Sequence, residues 1–575
     1  MRAQINMVHT LQLLIMMFFS LARNSAFALW PIPPHITAGT TPLKLSPDFS
    51  ITTTIVSPPH DLVSAIQDTQ SRLKTDKFQR LVIGRGASDS NAVRFAPQLD
   101  KLELVFAPHA PPVRSIAAEA TAPLKARSEW YKLSVPSGGS PAAQLVANST
   151  LGLFRGLTTF SQLWYAYGTD KYILEAPVEM EDRPAFPYRG FSLDTSRNFY
   201  PMSDILRTIE AMSWVKLSIL YWHVSDSQSF PLQVERFPEL AQKGAYSENE
   251  IYTTDDVKQI ISYANSRGVD IVVELDSPGH TTGIAFGYPD HVACANKMPW
   301  SMYASEPPAG QLRIANESTI AFSKELFDSV ASMFTGPMMS SGGDEVNLPC
   351  WEEDADFVRD SIVANTTIPE ALDRFVQEIQ GIIKKRKKMP LIKSDMILTH
   401  NVTVTDDTVA VVWQSSADAV SMADRGHTFI YQPSNYFYLD CGAGDWLGDD
   451  VPGVSWCDPF KTWQKAYSFD PYANLTASQY HLVLGGQMPL WSEQSSPENL
   501  DSIVWPRLAS AAEVFWTGAA LPDGTSRLGK NATNGTSALA RLHELRYRLV
   551  DRGIKAIALQ PHWCALRPGA CDLDA

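Results

Sequence analysis

The chain has 575 residues, 45% of them hydrophobic and 19% charged, with a formal net charge of −14. This is ordinary globular composition with room for two or more domains. An acidic balance argues against nucleic acid or anionic lipid as the main partner, because no basic cluster compensates it. The one lysine/arginine run, Lys384 to Lys388, closes an amphipathic pattern just before Pro390. It reads as a solvated helix end, where cations suit the C-terminal dipole.

Residues 1–28 read as a secretory signal. One arginine precedes an apolar core from Leu11 to Ala22, and Ala26-Phe27-Ala28 supplies small residues for cleavage. The core is too short to span a bilayer comfortably, so a retained anchor is the weaker reading, and nothing later resembles a spanning helix. Six cysteines follow, an even number that suggests three disulfides with the pairing left open; their spacing does not suggest zinc. Asn-x-Ser/Thr sequons begin at Asn148, Asn316, Asn365, Asn401, Asn474, Asn531 and Asn534. Each is only a hint of a surface loop. Together these features predict a secreted protein, extracellular or in a secretory or vacuolar lumen, with no membrane contact after cleavage.

Residues 29–182 form the next unit. "LWPIPPHITAG" is a proline-stiffened lead-in, "LELVFAP" and "YKLSVP" read as strands, and "ANSTLGLFRGLTTFSQLWY" reads as a turn followed by an amphipathic helix. A smaller α/β (α+β) domain that props the rest of the chain is expected here. Nothing in it carries chemistry.

From residue 183 to 575 the pattern becomes an alternation. Apolar runs start at Gly190, Leu217, Val269, Gly336, Met389, Thr408, Thr428 and Tyr480. They are short and mostly continuous, as strands buried on both faces should be. Helical patterns separate most of them, including "TTDDVKQIISYANSRG", with an acidic first turn and a glycine stop, and "IPEALDRFVQEIQGIIKKRKK". Eight strands with intervening helices predict a (β/α)8 TIM barrel rather than a doubly wound sheet.

In such barrels the functional groups stand at the C-terminal strand ends. Those ends carry Asp194, Asp226, His280, the adjacent pair Asp344 and Glu345, Lys393, Trp413, Tyr438 with Asp440, and Trp491 with Glu493. The pair sits in "MMSSGGDEVNLPCW", where two glycines deliver two carboxylates straight after an apolar run. Acids are rarely buried unless something pairs or uses them, so a purely structural role is the weaker account of this pair. Asp194 reads equally well as a loop cap. His280 could be a satisfied strand-end histidine, although its neighbours favour function. Tryptophans are mostly core residues, and of Trp413, Trp446, Trp463 and Trp491 only Trp413 and Trp491 are assigned to the site.

Residue type then suggests the substrate. A sugar has apolar CH faces that stack on indoles and hydroxyl edges that bond to carboxylates. Glycosidic cleavage needs a proton donor and a group that stabilises an oxocarbenium-like centre. Like-charge repulsion from Asp344 can keep Glu345 protonated for the acid role. Successive residues leaving a strand point in different directions, so the two cannot both flank one bond; one must serve another purpose. Asp226, His280 and Glu345 are ligand types, but no paired histidines at ligand spacing occur, and neither metal nor cofactor is expected.

"FPYRGFSLDTSRNFYP", "YWHVSDSQSFP", "LDSPGHTT", "GGDEVNLPCW", "YFYLDCG" and "MPLWSEQ" occur in that order. On these motifs the chain resembles the β-N-acetylhexosaminidases of glycoside hydrolase family 20, most of all fungal secreted members. That family is an exception to the two-carboxylate scheme: the substrate's own 2-acetamido oxygen attacks the anomeric carbon, giving an oxazolinium intermediate and net retention. The resemblance implies Glu345 as general acid/base and Asp344 as the group that orients the acetamido N–H. It implies Tyr438 as a partner of the acetamido oxygen, with Asp226 and His280 as a network behind the acid. Arg189, Asp440 and Glu493 would hold sugar hydroxyls, and Trp413 and Trp491 would wall the pocket. Arg189 rests on the resemblance alone, since it stands at the wrong end of its strand. The resemblance also implies the disulfides Cys294–Cys350, Cys441–Cys457 and Cys564–Cys571.

One departure stands out. Where the family has "WEEM" after strand five, this chain has "KSDM", Lys393 to Met396. A lysine in a wall of the methyl pocket would wet it, and its ammonium would have to reach water or pair with an acid such as Asp395. The leading expectation is an exo-acting hydrolase of terminal β-linked GlcNAc or GalNAc on chitin oligosaccharides or glycans. Its rivals are a secreted carbohydrate-binding protein with decayed catalysis and a conventional two-carboxylate retaining glycosidase. The partners expected are the glycan and, at most, a second copy in a homodimer.

Overall fold

The computed structural model describes residues 28–138, 141–449, 451–528 and 536–573. The expected signal segment up to residue 27 and the sequons at Asn531 and Asn534 lie outside the described residues. Strands β1 (His35–Thr53), β2 (Gln98–Phe106), β3 (Tyr131–Val135), β4 (Ala143–Ala147), β5 (Tyr165–Tyr167) and β6 (Asp170–Asp182) form one mixed sheet. Their order is β1-β2-β4-β3-β6-β5. Burial alternates along β3, with Tyr131, Leu133 and Val135 inside and Lys132 exposed, because one face packs on helices His60–Thr75 and Thr150–Gln162. The second helix starts where Ser149 Oγ accepts from Gly152 N at 2.8 Å, the N-cap of the "NSTLG" turn.

The second sheet closes on itself. Its staves are β7 (Tyr188–Asp194), β8 (Ile219–His223) and β9 (Asp270–Glu274), then, past a small ladder of β10 (Val292–Ala293) with β11 (Gln311–Leu312), β12 (Met338–Ser340). The circuit continues with β13 (Met389–Lys393), β14 (Val409–Val412), β15 (Thr428–Tyr431) and β16 (Val483–Leu490), which pairs back on β7. All eight pairings are parallel, and each strand overlaps one of the runs expected from sequence. Every residue of β8 and β9 is buried, which is why those runs show no alternation. The register sets Asp194 beside His223, His223 beside Glu274 and Glu274 beside Ser340, so the strand ends stand level at one mouth.

Capping boxes start two of the surrounding helices, Thr253 with Asp256 before Thr254–Asn265 and Thr367 with Glu370 before Ile368–Lys385. The basic run is less solvated than expected. Lys388 is buried, and its Nζ donates to the carbonyls of Phe334 and Gly336.

The N-terminal domain covers the opposite end of the barrel. Lys216 pairs with Asp182 at 2.7 Å, and Arg155 donates to the carbonyl of Gly268, also at 2.7 Å. Buried pairs of this kind add little net stability but penalise any other docking of the two domains. The pairs Cys294–Cys350, Cys441–Cys457 and Cys564–Cys571 are all formed. Among the sequons, Asn365, Asn401 and Asn474 are exposed. Asn316 instead spends its amide on Asp360 at 2.7 Å. No described helix is long and apolar enough to cross a membrane.

Candidate active site

Past β12 the chain turns outward through Gly342 and Gly343, at φ 66° and 105°, a region closed to most side chains. A Cβ on Gly342 would stand 2.0 Å from Asp276 Oδ1. Glu345 is itself left-handed at φ 54°, a strain of the kind that collects at functional sites. Two acidic side chains pin this turn: Gly343 N donates to Asp276 Oδ1 at 2.8 Å, and Glu345 N donates to Asp395 Oδ2 at 3.1 Å.

The two adjacent acids then part. Glu345 reaches the mouth, with Oε2 3.3 Å from His280 Nε2 and about a third of its side chain (32%) exposed. Asp344 turns into the barrel, where Oδ2 lies 3.3 Å from Lys393 Nζ. Its Oδ1 is buried and meets no N–H or hydroxyl donor among the described residues, although the Asp276 carboxyl hydrogen-bonds to the same carboxylate. Burial alone would raise the Asp344 carboxyl, yet Lys393 and His280 hold it below the usual range. Burial and the charge of Asp344 push Asp276 well up, so it stands as a neutral acid beside an ionised one.

Behind Glu345 runs a chain of buried charges. His280 Nδ1 lies 3.1 Å from Asp226 Oδ1, and Asp226 Oδ2 lies 2.8 Å from His223 Nε2. His223 Nδ1 lies 2.8 Å from Glu274 Oε1. Burial disfavours imidazolium, but the flanking carboxylates Asp226 and Glu274 push His223 up to about 10. Asp226 and Glu345 likewise raise His280 against the effect of burial. Asp226 and His280 are thus joined to Glu345 in one line, and His223 and Glu274 extend it beyond what the motifs indicated.

The pocket in front of these groups is lined by Glu345, Asp344, Trp413, Tyr438, Asp440, Trp491 and Glu493, with Arg197 and Glu306. Trp413, Tyr438 and Trp491 form one apolar cluster with the Cys441–Cys457 disulfide. Trp446 and Trp456, from the loop which that disulfide closes, complete the rim. Asp440 accepts from Trp491 N at 3.3 Å, and burial pushes its carboxyl up to about 7. Asp194 is spent on structure: Oδ2 accepts from Ser492 N at 3.0 Å and Oδ1 from Ser196 N at 2.8 Å. A larger cavity of about 520 Å³ lies between helices His60–Thr75 and Thr254–Asn265, but its charged floor is satisfied internally by Arg72, Glu210 and Arg267.

Arg189 is not among the pocket residues. Its guanidinium is fully buried at the start of β7, held by Glu129 at 2.7 Å and by the carbonyls of Phe186 and Lys216. The arginine in the mouth is Arg197, three residues beyond the end of β7. It lies 2.9 Å from Asp226 and 3.3 Å from Asp194, over the Trp491 ring. Arg197→Met should raise KM about tenfold or more while the fold melts cooperatively. Arg189→Met should leave KM nearly unchanged and destabilise the fold by about 3 kcal/mol, the scale for breaking a buried pair. Steady-state kinetics and thermal melts on both variants decide; a KM effect confined to Arg189 overturns the assignment.

Lys393 does not wet the pocket either. It is wholly buried beneath the pocket and is met by Asp344 and Glu274 rather than by Asp395, whose Oδ1 takes the Trp413 indole N–H at 3.0 Å. The acid pair and its surroundings are intact, so a decayed, binding-only protein finds no support.

Residues 186–519 match the family described as "Glycosyl hydrolase family 20, catalytic domain", and residues 29–163 match "beta-acetyl hexosaminidase like". The chain belongs to glycosyl hydrolase family 20. Among curated relatives of this family 20 chain, a "Chitooligosaccharidolytic beta-N-acetylglucosaminidase" of Ostrinia furnacalis is 35% identical, covering 77% of this chain and 75% of its own. A "Beta-hexosaminidase 1" of Coccidioides posadasii is 33% identical over 76% and 77%. Among solved structures, an exo β-N-acetylglucosaminidase of Vibrio harveyi superposes with a TM-score of 0.71 at 21% identity, over 92% of this chain and 78% of that one. At that identity the likeness bears on the fold alone. The curated relatives and the family match make the protein a glycoside hydrolase.

Proposed function

We propose that this hydrolase is an exo-acting, retaining β-N-acetylhexosaminidase that releases terminal β-linked GlcNAc or GalNAc from chitin oligosaccharides or glycans. The observation that carries the reading is Asp344: a buried carboxylate in the pocket wall with one oxygen on Lys393 and the other without an N–H or hydroxyl donor. A buried acceptor left open costs stability unless a ligand fills it, and an acetamido N–H is a fitting donor. The substrate's acetamido oxygen then attacks the anomeric carbon as the glycosidic C–O bond breaks, and Glu345 gives its proton to the leaving oxygen. Asp344 balances the positive charge of the oxazolinium. Water, losing its proton to Glu345, attacks the same carbon and reopens the ring, with overall retention.

The other residues fit supporting roles. Burial raises the Tyr438 hydroxyl further, so it stays a donor to the acetamido oxygen. His280, held protonated by Asp226, faces Glu345 and stabilises its carboxylate between giving up one proton and taking the next from water. Trp413 and Trp491 wall the sugar, while Arg197, Asp440 and Glu493 meet its hydroxyls. The three disulfides, the N-terminal leader and the exposed sequons support a secreted glycoprotein.

Turnover of an aryl β-GlcNAc and the matching aryl β-glucoside tests the proposal. The glucoside, lacking the internal nucleophile, should be slower by about a thousandfold, a modest share of what a well-placed intramolecular nucleophile supplies. Equal rates would rule out substrate assistance, and no turnover of either would rule out the activity.

A further inference from the structure

Lys393 is a buried charge directly beneath the pocket that the proposed reaction leaves without a task. Its side chain has no solvent exposure, and its Nζ lies 3.3 Å from Asp344 Oδ2, 3.5 Å from Glu274 Oε1 and 4.9 Å over the Trp491 ring. Its backbone is tied to the same turn, with Lys393 N donating to Gly342 O at 2.9 Å. Lysine, turn and Asp344 are therefore locked together. An ammonium taken wholly out of water is costly unless paired, and its carboxylate partners come from β9 and from the turn after β12.

We infer that Lys393 is a positioning residue for Asp344: it claims Oδ2, fixes the direction in which the carboxylate faces the substrate's 2-substituent, and extends the site's working range into acid. The inference rests on the hexosaminidase reading above. A bare carboxylate on this turn could rotate and offer either oxygen. With Oδ2 held by a cation anchored on Glu274, rotation breaks a buried ion pair, so the acceptor is presented in one direction before substrate arrives. Such preorganisation costs nothing at the moment of reaction.

The same contact governs ionisation. On the strands packed around Asp344 the charged or titratable groups are His223, Glu274 and Lys393. From the segments that follow the strands come Asp276, His280, Glu345, Asp395 and Tyr438. Burial opposes a charge on Asp344; Lys393 is the first counterweight, with His280, the Asp276 carboxyl and His223 behind it. Removing the ammonium favours the neutral carboxyl, so Asp344 should lose its charge at a higher pH than before.

Lys393→Met keeps the stem and removes the charge; Lys393→Gln keeps a donor without charge; Lys393→Arg keeps the charge. The measurement is the pH profile of kcat/KM on an aryl β-GlcNAc, with thermal melts of each variant. The wild type should keep its acid limb below the ordinary carboxylate range of about 4. Lys393→Met and Lys393→Gln should move that limb up by about one to two pH units, the scale for losing one close opposite charge, and Lys393→Arg should restore it in part. A merely structural lysine would lower melting temperature and rate evenly across pH without moving the limb, and that result overturns the inference. If the neutral variants do not fold, a wild-type limb at or above the ordinary carboxylate range overturns it as well. A wild type inactive at every pH would instead defeat the hexosaminidase reading itself.

Discussion

Glu345→Gln should lose about a thousandfold or more in kcat/KM on glycosides with poor leaving groups, and far less on an aryl glycoside with an activated one. The basis is the position of one proton. Glu345 stands partly exposed at the mouth, fixed by its backbone bond to Asp395 and facing His280 at 3.3 Å. Glutamine has the same shape and can still accept from His280, so the pocket should survive the change, but an amide cannot protonate a sugar alkoxide. General acid catalysis is typically worth about 10²–10⁴ in rate. A nitrophenolate leaves without help, so bond breaking on such a substrate escapes most of the penalty. What remains is the second half of the reaction, where Glu345 activates water. Comparing chitobiose with dinitrophenyl β-GlcNAc separates the halves. Small, equal losses on both substrates would remove Glu345 from the acid role.

The barrel was legible because its strands are buried on both faces. A run such as "LSILYWHVSD" has no alternation to disguise it, and the capping boxes at Thr253 and Thr367 mark helix starts by local hydrogen bonding alone. The one-sided strands of the N-terminal sheet gave weaker signals, because half of each strand faces away from its core. Strand ends also located most of the pocket: Asp226, His280, Asp344, Glu345, Trp413, Tyr438, Asp440, Trp491 and Glu493 stand around one mouth or directly behind it.

What was misread shows where the strand-end rule was set aside. "YRGFSLDTSR" holds two arginines eight residues apart, and β7 ends at Asp194. Applied strictly, the rule puts Arg189 at the floor and Arg197 at the mouth, which is where the structure puts them. Glu306 and Trp456 carried no such signal, since they reach the pocket on loops whose path no periodicity encodes. Lys393 was placed correctly on its strand, but its partners belong to β9 and to the turn after β12. Which acid meets a buried lysine is a tertiary fact.

Asp344→Asn should depress kcat on β-GlcNAc substrates by about a thousandfold, at the upper end of what losing one well-placed electrostatic contact costs. Loss of charge is only part of the reason. In the wild type Lys393 donates to Oδ2, and Oδ1 meets no N–H donor of the protein among the described residues. An asparagine has one oxygen and one amino group to divide between the same two neighbours. Set against an ammonium, the amide turns its oxygen toward Lys393 and its NH₂ toward the pocket. The acetamido N–H would then meet a donor where it needs an acceptor, so alignment of the internal nucleophile fails along with stabilisation of its positive charge. Two measurements follow. The penalty should steepen along a series of N-acyl groups made progressively poorer as nucleophiles by fluorination, because Asp344 no longer assists the attack. On an aryl β-glucoside, which has no acetamido group to orient, Asp344→Asn should change the rate little, so the preference for GlcNAc over glucose collapses. An Asp344→Asn enzyme that keeps this preference would mean that Asp344 does not serve the 2-substituent at all.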